Sequence, residues 1–143
     1  MKKLMISRRR FLAGAATASA APLIIPASAL GRGKRPAPSE RINVGMIGYG
    51  TMAHDNIGNF LNDERCQLVA VCDVVAEGKY YGYNAERSGG HVPGMNRVNK
   101  FYAEKTGKPD YKGCRTFVDF REMIEKADVD AVVISVPDHW HCV

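Results

Sequence analysis

The run Gly48-Tyr49-Gly50-Thr51-Met52-Ala53 constrains this chain more than any other feature. Before it stands Ile42-Asn43-Val44-Gly45-Met46-Ile47, a short apolar stretch that predicts a strand. After it, Ala53, Ile57, Phe60 and Leu61 recur on one face of a helix expected over Thr51–Leu61. A Gly-x-Gly-x-x-Ala run placed between a strand and a helix has a physical cause at each small residue. Gly48 allows the tight turn, Gly50 lets an anion approach the backbone, and Ala53 lets the helix pack closely on the strand. The N–H groups near Thr51 and Met52 then face outward at the positive end of a helix dipole, which makes an anion site.

The pattern alternates from there to the end. Leu68-Val69-Ala70-Val71-Cys72 is apolar throughout, as suits a strand covered on both faces. The Tyr- and Gly-rich stretch from Asp73 to Gly94 reads as a surface loop. Val98, Phe101 and Tyr102 mark a short helix that stops near Gly107-Lys108-Pro109. Arg115–Val118 predicts a brief strand. Asp119, with Glu122 three residues on, predicts a capping box for a helix that buries Phe120, Met123, Ile124 and Ala127. Ala131–Val136 predicts a fourth strand. Strand and helix in regular alternation imply an α/β fold, a Rossmann-type doubly wound parallel sheet, incomplete at the C-terminus.

Asp73 ends the second strand, 20 residues beyond Ala53. An acid at that place accepts hydrogen bonds from the ribose hydroxyls of a dinucleotide and repels a 2′-phosphate. The expected cofactor is therefore NAD, with NADP less suited. Its binding residues would be Gly48, Tyr49, Gly50, Thr51, Met52, Ala53 and Asp73.

The net charge of +5 does not indicate nucleic acid. The first 35 residues hold 8 of the 20 Lys and Arg and none of the 15 acids. The rest carries 12 basic residues against 15 acids, a net of −3, which lacks the electrostatic footprint of a phosphate-backbone binder. The basic residues belong to a leader. Ser7-Arg8-Arg9-Arg10-Phe11-Leu12 precedes an uncharged, alanine-rich stretch that ends in Ala27-Ser28-Ala29. This pattern predicts a twin-arginine signal peptide over residues 1–29, followed by a linker over 30–40. The expected partner is the twin-arginine export machinery, and the expected location is periplasmic or extracellular. Pro22, Pro26 and the many alanines argue against a stable membrane anchor. That route carries folded proteins, so a bound cofactor could travel with the chain.

Cys66, Cys72, Cys114 and Cys142 have no Cys-x-x-Cys spacing and read as buried thiols. His139 and His141 alternate, but Pro137 predicts a turn there, where alternation does not bring side chains to one face. No metal site is expected. His54 reads as a partly exposed helix residue, Trp140 as packing, and Tyr80, Tyr81 and Tyr83 as loop cover.

The segment Val136-Pro137-Asp138-His139-Trp140-His141 makes the reading specific. With the glycine loop and Asp73, it resembles the glucose–fructose oxidoreductase and inositol dehydrogenase family (Gfo/Idh/MocA), over residues 41–143, and in particular its secreted twin-arginine members. Pro137 and His141 match the family's Pro-Asn-x-x-His, and Asp138 stands where Asn is commoner. The resemblance implies that Val136, Pro137, Asp138 and His141 line the nicotinamide-ribose side of the cofactor. It also implies a catalytic lysine in a Glu-Lys-Pro segment and a second, sugar-holding domain, both beyond Val143. The chain is accordingly expected to be a fragment, a partial nucleotide-binding domain over 41–143, whose catalytic residues are unknown. The implied whole is an exported oxidoreductase acting on a sugar or cyclitol carbinol by hydride transfer, with a homo-oligomer as a further expectation. A redox-neutral, NAD-dependent glycoside hydrolase and a non-catalytic nucleotide-binding module are the alternatives.

Overall fold

Strands β1 (Ile42–Ile47), β2 (Cys66–Cys72), β3 (Arg115–Phe117) and β4 (Ala131–Ile134) lie side by side in the order β3-β2-β1-β4, all parallel. The computed structural model describes residues 36–79 and 87–141. Residues 1–35, with the expected signal peptide and most of the linker, lie outside them, as do Tyr80, Tyr81, Tyr83 and Cys142. Helices α1 (Thr51–Asn62), α2 (His91–Thr106) and α3 (Phe120–Lys126) join successive strands. The chain steps outward from β1 to β3 and then returns to the other side of β1. Strand order thus reverses between β1 and β4, the place where open sheets of this kind receive ligands.

The sheet is covered on both faces, which is the doubly wound arrangement. On one side Val44, Met46, Leu68 and Val71 pack with Ala53, Ile57 and Leu61 of α1 and Val98 and Tyr102 of α2. On the other, Ala70, Cys72 and Phe117 pack with Met123 and Ala127. Residues of β1 alternate between these faces. Residues of β2 slip once: Val44 pairs with Leu68 and Gly45 with Ala70, so Val69 has no partner on β1. Gly45 makes room for α3, because a Cβ there would stand 2.9 Å from Met123 Cε and 3.0 Å from Val129 Cγ1.

Several sequence expectations need correction. The β2–α2 loop ends at Gly90, and α2 already starts at His91. Gly94 is a packing residue inside that helix: a Cβ would stand 2.8 Å from Val71 Cγ1 and 2.9 Å from Tyr49 Cγ. Pro93 fits because it lies in the first turn, whose N–H groups lack helical partners. Asp119 does cap α3, accepting from Arg121 N–H at 2.8 Å, but Glu122 pairs with Lys126 at 2.7 Å instead of closing a box. Phe120 and Ile124 are exposed, Ile124 by 51%. The buried stripe of this short helix is narrow and runs through Met123 and Ala127, and Ile124 sits about 100° round from Met123. Strand β4 ends at Ile134 rather than Val136, and as an edge strand it leaves Val132 and Ile134 exposed. Trp140 is not packed but 59% exposed. The end of the expected linker is ordered too. Pro38–Glu40 form a 3-10 turn, and Glu40 Oε2 accepts from Ala37 N–H at 3.3 Å.

Candidate nucleotide-binding site

The glycine loop grows directly out of β1. Gly48 N–H donates to Cys72 O at 2.8 Å, while Ile47 O accepts from Ser135 N–H at 2.8 Å. The loop is therefore tied to the carboxyl ends of both neighbouring strands. Gly48 has φ +82°, and a Cβ there would stand 2.6 Å from Ser135 O and 2.9 Å from Val136 Cγ1. Only glycine meets both demands, the left-handed backbone and the close approach of the segment after β4. Gly50 is the N-cap of α1 and supplies no side chain to its first turn. The outward-facing amide donors of that turn lie at Thr51 and Met52. Met52 is 64% exposed beside them, and Ala53 is fully buried against the sheet.

Tyr49 contributes backbone only. Its side chain is buried, its ring 4.5 Å from that of His54. Its N–H donates to Asp73 Oδ2 at 2.8 Å, and its carbonyl accepts from Gly90 N–H at 2.9 Å. Asp73 is 8% exposed, a buried acid whose polar atoms all have partners. Oδ2 takes the Tyr49 N–H and Oδ1 takes the Val75 N–H at 2.9 Å. Its N–H donates to Phe117 O at 3.1 Å, and its carbonyl accepts from His91 Nδ1 at 2.9 Å. Each carboxylate oxygen keeps a second lone pair, so the group is fixed in direction and still able to accept. Cys72 stands just before it. Burial, then the Asp73 and Asp119 carboxylates, push its thiol up to about 11, so it is protonated and unreactive at neutral pH.

The glycine loop meets Asp73 through Tyr49 N–H and meets Val136 beside Gly48. Val136 touches the position a side chain on Gly48 would take. Pro137, Asp138 and His141 are exposed, and their turn closes on itself. His141 N–H donates to Asp138 O at 3.2 Å, and the His141 ring donates from Nε2 to Val136 O at 2.9 Å. Among the described residues no group of three His, Cys, Asp or Glu could hold a metal ion. No helix among them is long and apolar enough to cross a membrane.

Sequence reasoning missed the second ring of contacts. His54 donates from Nε2 to Ser88 O at 2.9 Å, and its Nδ1 faces Arg97 at 3.4 Å. Arg97 donates in turn to His54 O at 2.8 Å. These bonds tie the first turn of α1 to the end of the loop before α2 and to α2 itself. Gly90, with φ +107°, lies so close to the chain after β2 that a Cβ would stand 2.6 Å from Val75 O. The Gly89-Gly90 pair was the only local signal of that approach.

No family model matches the chain. It is similar to a glycosyl hydrolase family 109 protein of Shewanella baltica, 28% identical over 95% of this chain and 29% of that protein. It is similar to an alpha-N-acetylgalactosaminidase of Shewanella oneidensis, 29% identical over the same shares. The chain thus spans 29% of the length of these curated relatives. Among solved structures it is similar to scyllo-inositol dehydrogenase from Lactobacillus casei with bound NAD(H) and scyllo-inositol, with TM-score 0.46 and 22% identity over 71% of this chain and 23% of that one. It is also similar to the WlbA dehydrogenase of Bordetella pertussis in complex with NADH and UDP-GlcNAcA, with TM-score 0.39 and 21% identity over 68% and 22%.

Proposed function

We propose that this chain binds NAD at the carboxyl ends of β1 and β2, as the nucleotide-binding part of an enzyme acting on a sugar-like substrate. The observation that carries this reading is the seating of the Asp73 carboxylate, 2.8 Å from Tyr49 N–H at the foot of the glycine loop. The residues present fit the dinucleotide. Gly48 and Gly50 clear the approach to the amides at the start of α1, where a pyrophosphate would lie. Asp73 offers its free lone pairs to a ribose diol, and its charge disfavours a 2′-phosphate. Val136 flanks the glycine loop on the β4 side, toward the nicotinamide half. When bound, NAD supplies a hydride acceptor for a secondary carbinol. What this chain supplies is binding, orientation and a fixed negative charge. Titration with NAD and NADP by calorimetry tests the reading. Saturable NAD binding, with NADP weaker, is the expected result; no binding of either overturns it.

A second reading has a specific support, the names of the curated relatives. A glycosidase that uses NAD with no net redox change would need the same nucleotide site. The whole protein discriminates the two: aglycone release from a glycoside without accumulation of NADH favours the glycosidase. Export by the twin-arginine route is supported by Arg8-Arg9-Arg10 ahead of the alanine-rich stretch and by Ala27-Ser28-Ala29. Cell fractionation after Arg8→Lys and Arg9→Lys tests it, with the protein expected to stay in the cytoplasm.

A further inference from the structure

His91 and the turn it grips are absent from every motif above, yet they bear on the acid that selects the cofactor. The turn runs from Asp73 to Val75. Its own side-chain bond is Val75 N–H to Asp73 Oδ1 at 2.9 Å. From outside, His91 holds it at both ends. Its ring Nδ1 lies 2.9 Å from Asp73 O, and its backbone N–H donates to Val75 O at 3.0 Å. A carbonyl oxygen can only accept, so Nδ1 carries the proton. The Asp73 carbonyl belongs to the peptide that leads into Val74. That peptide and the next, which carries Val75 N–H, meet at Val74, so holding the turn at both Asp73 O and Val75 O limits where Val75 N–H, one of the two donors that aim the carboxylate, can point. The other, Tyr49 N–H, is set by the glycine loop. Val74 is exposed and contributes no packing to hold the turn. Gly90, immediately before His91, is fixed by its own bond to Tyr49 O, so the imidazole is delivered from a rigid helix start.

We propose that His91 is a positioning residue for the Asp73 carboxylate, and through it a determinant of the preference for an unphosphorylated adenosine ribose. This rests on the NAD reading given above. Without the imidazole, the buried Asp73 carbonyl loses its donor and the peptide between Asp73 and Val74 is free to turn. The carboxylate then loses the direction it needs to accept from a ribose diol. Its contribution to NAD binding falls, and so does its power to exclude the 2′-phosphate.

The test compares NAD and NADP dissociation constants for the full chain, for His91→Ala and for His91→Asn. Asn carries an amide N–H at nearly the same place as Nδ1–H. The expected result for His91→Ala is NAD binding weaker by about tenfold, the worth of one hydrogen bond to a buried group, with NADP changed less. The NAD-to-NADP ratio therefore falls, and His91→Asn restores it. Equal weakening of both cofactors, or an unchanged ratio, overturns the proposal while leaving the NAD reading intact. Failure of a folded His91→Asn variant to restore the ratio also overturns it. Absence of NAD binding by the unmodified chain overturns the NAD reading itself, and this inference with it. Circular dichroism on each variant separates loss of fold from loss of selectivity. If His91→Ala does not fold, the ratio in His91→Asn and in His91→Gln decides, since only Asn places its donor where Nδ1 lies.

Discussion

The amide of Tyr49 and the carboxylate of Asp73 meet at 2.8 Å across 24 residues of sequence. This bond joins the glycine loop to the acid that directly follows β2. Replacing Asp73 by Asn puts an amide N–H where one backbone N–H now donates. A charge-assisted bond is lost and a buried donor is left facing another. The expected cost is about 1–3 kcal/mol of stability, read as a lower urea midpoint at unchanged slope. The NAD-to-NADP ratio should fall in the same variant.

Gly48 and Gly58 offer opposite outcomes for the same substitution. At Gly48 the backbone is left-handed and a methyl would meet Ser135 O at 2.6 Å. Gly48→Ala should cost at least about 2 kcal/mol and remove nucleotide binding. At Gly58 a Cβ meets nothing within 4 Å, and the residue lies inside α1. Gly58→Ala should stabilise the fold by about 0.5–1 kcal/mol, a rise in melting temperature of a few degrees. Thermal melts of the two variants side by side check both signs.

The strands and α1 were legible because their apolar residues repeat at the period of the element, as Ala53, Ile57 and Leu61 do. The start of α2 was not legible, because Gly89, Gly90 and Gly94 give the composition of a loop. Gly94 is there for another reason, the close approach of Tyr49 and Val71 to the helix. The glycine loop and Asp73 were legible as a pair because their spacing reflects one strand-helix-strand unit. His91 had no such signature. A side chain that donates to a carbonyl across 18 residues leaves no periodic trace in sequence.

Gly94 yields its own prediction. A methyl there would enter the space of Val71 Cγ1 and the Tyr49 ring, below 3 Å from each. Overpacking should outweigh the helix-propensity gain of alanine, which is about 1 kcal/mol. Gly94→Ala should therefore lower stability by about 1–2 kcal/mol, whereas a surface helix glycine would gain. Chemical denaturation gives the sign directly.

The buried thiols set an alkaline limit on stability. Burial pushes Cys114 up to about 12 and Cys72 up to about 11, from an ordinary value of 9.0. Their protonated form is favoured by the fold. The resulting stability is complete below pH 9 and is lost as pH rises from about 9 toward 11 and 12, because the unfolded chain releases these protons first. A urea midpoint falling over that window, and falling less in a Cys114→Ala background than in the parent, is the expected result. Alkylation at pH 8 should spare Cys72 and Cys114 and reach the half-buried Cys66 ahead of them.

Helix α3 separates the periodic reading from the observed packing. Periodicity treats Met123 and Ile124 as equal members of one buried face. The structure buries Met123 completely, against Gly45 and β2, and leaves Ile124 at 51% exposure. Met123→Ala would empty a site that Gly45 is shaped to receive, at an expected cost of about 2–5 kcal/mol. Ile124→Ala removes a side chain already half in water and should cost less than about 1 kcal/mol. Equal losses in the two variants would mean that Ile124 is covered by part of the protein beyond the residues described. A large difference would mean that Met123, and not Ile124, carries the packing of α3 on the sheet. Urea midpoints of the two single variants, in the chain as given and in any longer form of the protein, decide between these outcomes.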